Sequence, residues 1–317
     1  MSDYTKQQTF WGTFFLISSA LCTAGSNVYY SNMVQNISPF TFTFISFLLT
    51  AILFHALQWY SPIRRHSGSF INWKTLIGIN ISTAGAFMSF YFALKYIEPA
   101  VAGAIEIGAA PVSSLLLMKV LQRQQVKWID LSTGTGALIG SLFLIMAALQ
   151  GKSGFGSVPM PFTAAGLLAS IMCGFFAALA AIYSKKLSDA RWSSTQILAH
   201  RFYVIIILSL MLSLQQASLF EQVLTHWRGL LTVTFTGVIL PLYFLQLGIK
   251  RSATFFVMMS LSFIPVFTFA FQFLDPRITV SLHSLAGIII ILAFASLSVY
   301  TNHRRTAAIS NTQQKAV

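Results

Sequence analysis

The chain has 317 residues, of which 56% are hydrophobic and 9% charged, with a mean hydropathy of +0.72 and a net charge of +13. Soluble domains carry about 25% charge, so this composition excludes a water-soluble enzyme and the disordered and fibrous classes. The basic excess is a matter of position here, because Lys and Arg flanking membrane spans set topology and need no nucleic acid partner.

Apolar runs of about 20 residues, long enough to cross a hydrocarbon core of about 30 Å, recur along the whole chain. They predict spans at 10–32, 39–59, 75–95, 99–119, 129–149, 162–184, 195–215, 229–248, 253–273 and 281–301. The N-terminal stretch has one basic residue and no small-residue cleavage site, so it reads as a span rather than a removed leader. Residues 303–317 are polar and read as a disordered cytoplasmic tail. The expected fold is an all-α membrane protein with ten transmembrane helices and no soluble domain between them. Cys22 and Cys173 lie inside apolar runs and read as packing residues, not a disulfide.

Basic residues fix the expected orientation. Lys6, Arg64, Arg65, Lys74, Lys119, Arg123, Lys127, Lys185, Lys186, Arg191, Lys250, Arg251, Arg304, Arg305 and Lys315 fall on one side. Lys95, Lys152, Arg228 and Arg277 fall on the other. The skew places both termini in the cytoplasm.

The two halves align at a constant offset of 154. Gly12 falls on Gly166, Tyr29 on Tyr183, Trp73-Lys74 on Trp227-Arg228, and Pro111 on Pro265. The halves are 1–150 and 151–302. Five spans per half is an odd number, so they insert with opposite orientation. Inverted five-helix repeats are a transporter signature, because two similar halves can exchange conformations around a central site. A duplicated structural bundle is the plainer alternative.

These two halves resemble the drug/metabolite transporter superfamily, EamA type. The resemblance rests on the repeat, on an Ala/Leu-rich third span ending in Ala93-Leu94-Lys95-Tyr96, and on a proline central to the fourth span. It covers roughly residues 10–302. It implies an inner-membrane exporter of amino acids or other small metabolites. One departure is visible. Where such repeats often close the fourth span with a Leu-Gly-Glu-like turn, the first half has Leu121-Gln122-Arg123 and the second Leu274-Asp275-Pro276.

No metalloprotease, nucleophile-elbow or dinucleotide motif occurs. Gly151-Lys152-Ser153 looks like the end of a phosphate loop, but Met146 stands where the first glycine belongs. No enzyme, cofactor or metal is therefore expected, and active transport would draw on an ion or solute gradient. The expected partners are a small-molecule substrate, the lipid bilayer and protons, with no nucleic acid; oligomeric state stays open.

Glu106 is the outstanding residue. It lies about seven residues into the fourth span, roughly 10 Å below the outer boundary at 1.5 Å rise per residue. A carboxylate at that depth should face the bundle interior or a wet cavity. It is a candidate for proton coupling or for pairing a substrate amine; the alternative is a structural hydrogen bond. The face around it is small: Ala102, Gly103, Ala110 and Ser113. Pro111 and Pro265 remove backbone donors in repeat-related spans and mark helix interruptions near a central site, or simple packing kinks. Ser260 and Ser262 precede Pro265 and offer hydroxyls.

Arg201 lies about six residues into the seventh span. It either snorkels to the interface or contacts a carboxylate or phosphate. A salt bridge with Glu106, near the opposite face, is not expected. Further binding candidates are Asn27 and Tyr30 in the first span, Asn80, Phe87 and Tyr91 in a stripe with Thr83 on the third, and Tyr243 and Gln246 in the eighth. His55 reads as interfacial, and Lys95 with Glu98 as an exposed gate pair. Ser132, Gly136 and Gly140 form a small-residue ridge on the fifth span, suited to helix packing or a dimer face. Uptake or exchange, and a non-transporting membrane enzyme or assembly partner, remain as rivals to export.

Overall fold

The computed structural model describes residues 2–33, 37–60, 73–122, 128–150, 158–215, 219–275 and 281–315. Among these residues the regular structure is entirely helical. Arg64, Arg65, Arg123, Lys127, Lys152 and Arg277, which enter the expected topology, lie outside the described residues, as does the Gly151-Lys152-Ser153 segment.

The first half contributes α1 (Ser2–Met33), α2 (Pro39–Tyr60), α3 (Trp73–Tyr96), α4 (Pro99–Gln122) and α5 (Trp128–Leu149). Each is one unbroken helix. The second half opens with α6 (Met160–Asp189), and its next three spans are interrupted. The seventh consists of α7 (Ser194–His200) and α8 (Tyr203–Leu214). The eighth runs from α9 (Leu219–Val233) through a π-helical segment, Thr234–Ile239, into α10 (Leu240–Arg251). The ninth is α11 (Thr254–Ser260), a 3-10 turn at Leu261–Phe263, and α12 (Ile264–Gln272). The tenth is α13 (Leu282–Lys315).

Eight of the ten spans are long and apolar enough to cross a bilayer outright. The remaining two are α1 and the apolar stretch Leu282–Leu297 of α13. Exposed Trp59, Tyr60, Trp73, Trp128 and Trp227 sit at or near helix ends, where amphipathic rings favour the headgroup level. Two expectations are corrected here. Residues 303–315 continue α13 as helix rather than forming a disordered tail. The Gly136–Gly140 ridge is filled from within the chain. A Cβ at Gly136 would lie 2.3 Å from the Phe294 ring, and one at Gly140 2.6 Å from Ile291. The ridge is the seat of α13, so it is not a free dimer face.

α4 is the most enclosed of these eight spans. Its Ala and Gly side chains explain this: without bulk, neighbouring backbones approach closely, and in lipid that packing is a main source of helix association. Gly174 of α6 shows the approach directly. A Cβ there would meet the Glu106 carbonyl oxygen at 2.4 Å.

Each interruption has an identifiable local cause. At the α7–α8 break the side chain of Asn80, on α3, replaces the missing helical hydrogen bonds. Its Nδ2 donates to His200 O at 2.8 Å, and its Oδ1 accepts from the Tyr203 and Val204 amides at 2.9 and 3.4 Å. Backbone groups that no helix satisfies need such partners in a dry interior. The π segment precedes Pro241, whose ring cannot sit in a regular turn. Ser19 of α1 donates to Pro241 O at 2.8 Å and fastens this bend. Pro265 lies in the first turn of α12, just past the 3-10 turn, where its absent amide costs least. Pro111, its repeat partner, behaves differently: α4 runs through it as a continuous helix.

Candidate functional site

A cavity of about 910 Å³, counting the open space at its mouth, lies among α1, α3, α4, α6 and the interrupted seventh, eighth and ninth spans. All three interruptions reach its wall: Arg201 from the seventh span, Gly237 and Pro241 from the eighth, Leu261 and Ile264 from the ninth. Most of the surface is apolar, with Phe87, Phe90 and Tyr91 of α3 facing Leu242 and Leu245 of α10. Among the lining residues the charged side chains are Glu106 and Arg201.

Glu106 lines the cavity from α4. Cys173 of α6 lines the cavity with it. Cys22 and Cys173 are both free thiols. Arg201 does not snorkel. It is 4% exposed, and its Nε and Nη2 donate to Thr83 Oγ1 at 3.2 and 3.1 Å. The guanidinium lies 5.6 Å from the centre of the Phe202 ring, close enough for a cation–π contact. Its Nη1 has no hydrogen-bond partner. Arg201 and Glu106 share one cavity without forming a salt bridge.

The other expected site residues divide. Asn27, Phe87 and Tyr91 line the cavity, and Asn27 Nδ2 is buried without a partner. Tyr30 does not line it. Its ring packs 4.7 Å from Tyr91 and 4.4 Å from Phe42, closing the aromatic wall from behind. Asn80 is not among the residues that line the cavity; it is the clamp on the α7–α8 break, next to Arg201. Tyr243 is 37% exposed and its ring lies 6.2 Å from Phe54, away from the cavity. Gln246 is buried against Ser188, to which its Nε2 donates at 3.4 Å. α10 presents Leu242, Leu245 and Ile249 to the cavity instead. Ser260 donates to Phe256 O of its own helix at 2.8 Å, the usual fate of a mid-helix serine. Ser262 is buried in the 3-10 turn and is not among the lining residues.

Sequence reasoning missed Ser19, Thr23 and Cys173 as lining residues. A signal for the first two existed: Ser19, Thr23 and Asn27 recur every fourth residue, one face of a helix. Cys173 carries no such pattern, because only folding brings α6 against Glu106.

The ends of the bundle are fastened by polar clusters outside the cavity. Glu98 is 1% exposed and is no surface gate with Lys95, whose Nζ instead lies 6.0 Å from the Tyr96 ring centre. Glu98 accepts from Ser284 Oγ of α13 at 3.0 Å. With its amide oriented to satisfy both neighbours, Gln272 donates to Glu98 Oε1 at 3.0 Å and accepts from the Ala100 amide at 3.0 Å. This cluster joins the start of α4 to the ends of the ninth and tenth spans. At the opposite end, His55 Nδ1 meets Ala51 O at 2.8 Å and so carries a proton, since a carbonyl only accepts. In neutral His55, Nε2 then accepts from the Tyr203 hydroxyl at 3.1 Å, and the Tyr203 oxygen accepts from His200 Nδ1 at 2.6 Å. His55 is therefore tied to the α7–α8 break rather than left free at the interface.

A crystal structure among solved proteins is similar over 94% of this chain and 97% of its own, with a TM-score of 0.69 and 17% identity. That likeness shows the fold. A comparison with curated proteins finds no match. The model of the EamA-like transporter family matches twice, over residues 10–147 and 164–300, so the second match begins 154 residues after the first. Two matches covering most of the chain, on an all-helical bundle with a central cavity, make this a membrane transporter of the drug/metabolite transporter superfamily, and the chain belongs to the EamA-like transporter family.

Proposed function

We propose that the protein exports a small organic metabolite, an amino acid or a derivative of one, by alternating access driven by protons. The observation that carries this reading is the cavity itself. It is bounded by both repeats, lined by a carboxyl group deep in the bundle, and edged by the three interrupted spans. Interrupted helices beside a midplane cavity let half-helices move with limited loss of backbone hydrogen bonding. An apolar wall with a few polar groups suits an amphipathic solute.

In this mechanism both termini lie in the cytoplasm of a bacterial inner membrane. The Glu98 cluster then sits at the outer end and the His55–Tyr203–His200 chain at the inner end. Substrate enters from the cytoplasm and its ammonium pairs with ionised Glu106. After the halves exchange conformation, a proton from outside takes the carboxylate and the ammonium leaves. Proton and substrate cation compete for one group, which is the condition for exchange of one against the other.

The test compares small-molecule pools inside and outside cells that overproduce the protein or lack it. Export predicts a solute that rises outside on overproduction and inside on deletion. The opposite movement would establish uptake, and no movement of any solute, with the protein in the membrane, would favour a non-transporting role. Glu106→Gln should abolish uphill transport in a folded protein; gradient-driven flux at the wild-type level in that variant would remove Glu106 from coupling.

A further inference from the structure

Arg201 is a permanent cation, 4% exposed, on the cavity wall with no carboxylate partner among the described residues. Its neighbours are a neutral hydroxyl, Thr83, and the face of the Phe202 ring. Nη1 is buried and unpaired. Leaving a buried charge uncompensated is among the costliest arrangements a fold can hold, and here Asn80 holds the chain open so that Arg201 stays at the cavity. We propose that Arg201 is the receptor for a carboxylate on the transported solute, resting on the reading of this cavity as the transport site.

The charges of the cavity narrow the ligand. With Arg201 and ionised Glu106 as its charged lining residues, the cavity is neutral overall. A zwitterion keeps that balance, its carboxylate on Arg201. A phosphate ester brings about two negative charges near neutral pH, one more than the single cation offsets, with Glu106 in the same space. A simple amine leaves Arg201 unpaired. The two ends of the solute are thus read by separate residues: the carboxylate sets recognition at Arg201, and the ammonium competes with the proton at Glu106. Guanidinium is suited to the first task, since its fork of donors matches the two oxygens of a carboxylate.

The test is a melting-shift screen of the purified protein in detergent against each common amino acid and, in parallel, its amide. A set of phosphate monoesters serves as a further arm. At least one free acid should stabilise the wild type, and its amide should not, because the amide keeps the ammonium and loses the anion. Arg201→Gln should weaken that acid by about tenfold or more, the size of a charge-assisted hydrogen bond. Arg201→Lys should retain part of the effect. Equal shifts by acid and amide, a response confined to phosphate esters, no response to any acid, or a full response in folded Arg201→Gln would each overturn the proposal. Where Arg201→Gln does not fold, the acid–amide contrast and Arg201→Lys decide. Export of a solute lacking a carboxylate in the cell assay would overturn this inference alone and leave the export reading intact.

Discussion

The two halves of the molecule match one family model, yet they use their helices differently. The spans of the first half are continuous, including α4, which carries a proline at its centre. Three spans of the second half are interrupted, and every interruption reaches the cavity. A shared ancestry of pattern therefore does not dictate a shared backbone. What decides is whether the groups freed by a break find partners. Asn80 and Ser19, both on first-half helices, supply partners to the second half. The first half is the frame, and the second half carries the bends that edge the cavity.

That division is most exposed at Asn80. Asn80→Leu keeps the branching of the side chain but leaves the His200 carbonyl and the Tyr203 amide without their partner. Each orphaned group costs about 1–3 kcal/mol, so the variant should show the largest drop in melting temperature or fail to accumulate as a monodisperse protein. A variant as stable as the wild type would mean that the α7–α8 break holds itself. Gly174→Ala comes next. Its methyl would press on the Glu106 carbonyl of α4, and forced overpacking costs about 1–3 kcal/mol; thermal melting checks it, and transport should fall because Glu106 is displaced.

The repeat-related prolines sharpen the contrast further. Pro111→Ala should keep or raise stability, since α4 is already a continuous helix and alanine restores the missing amide. Pro265→Ala should leave stability within about 1 kcal/mol, as expected for a proline in a first turn, yet slow transport of the identified solute by letting the ninth span straighten. Equal transport rates in the two variants would show that the ninth-span break has no part in turnover. The smallest effect belongs to the Lys185–Asp189 pair at 3.5 Å, with Asp189 64% exposed. Asp189→Ala should change stability by less than about 0.5 kcal/mol, measured in the same melting assay.

Hydropathy made the ten spans legible, because span length is dictated by the bilayer and not by tertiary detail. The repeat was legible for a related reason: Pro111 and Pro265 stand at one offset whatever their backbones do. Glu106 stood out because a carboxylate deep in an apolar run has few places to face. Arg201 was harder. At its depth, a long side chain reaches either the interface or the interior, and only the clamp from Asn80, 120 residues earlier, resolves which. Tyr243 and Gln246 were misplaced because their spacing marks a shared helix face without telling which face meets the cavity. Cys173 and Glu98 are defined by contacts between distant spans, which periodicity within one span does not encode.

The Asn80 clamp also has a consequence for biosynthesis. The residue that completes the seventh span is made 120 residues before the carbonyl it serves. At about 5–20 residues per second, the third span waits on the order of 10 s in the membrane before its partner emerges. Until the two helices meet, α7 and α8 carry unsatisfied backbone groups at their junction, a state that a lipid environment penalises. The later half thus depends on the earlier one as an assembly template, and a ribosome that released the second half alone would deliver a seventh span without its cap.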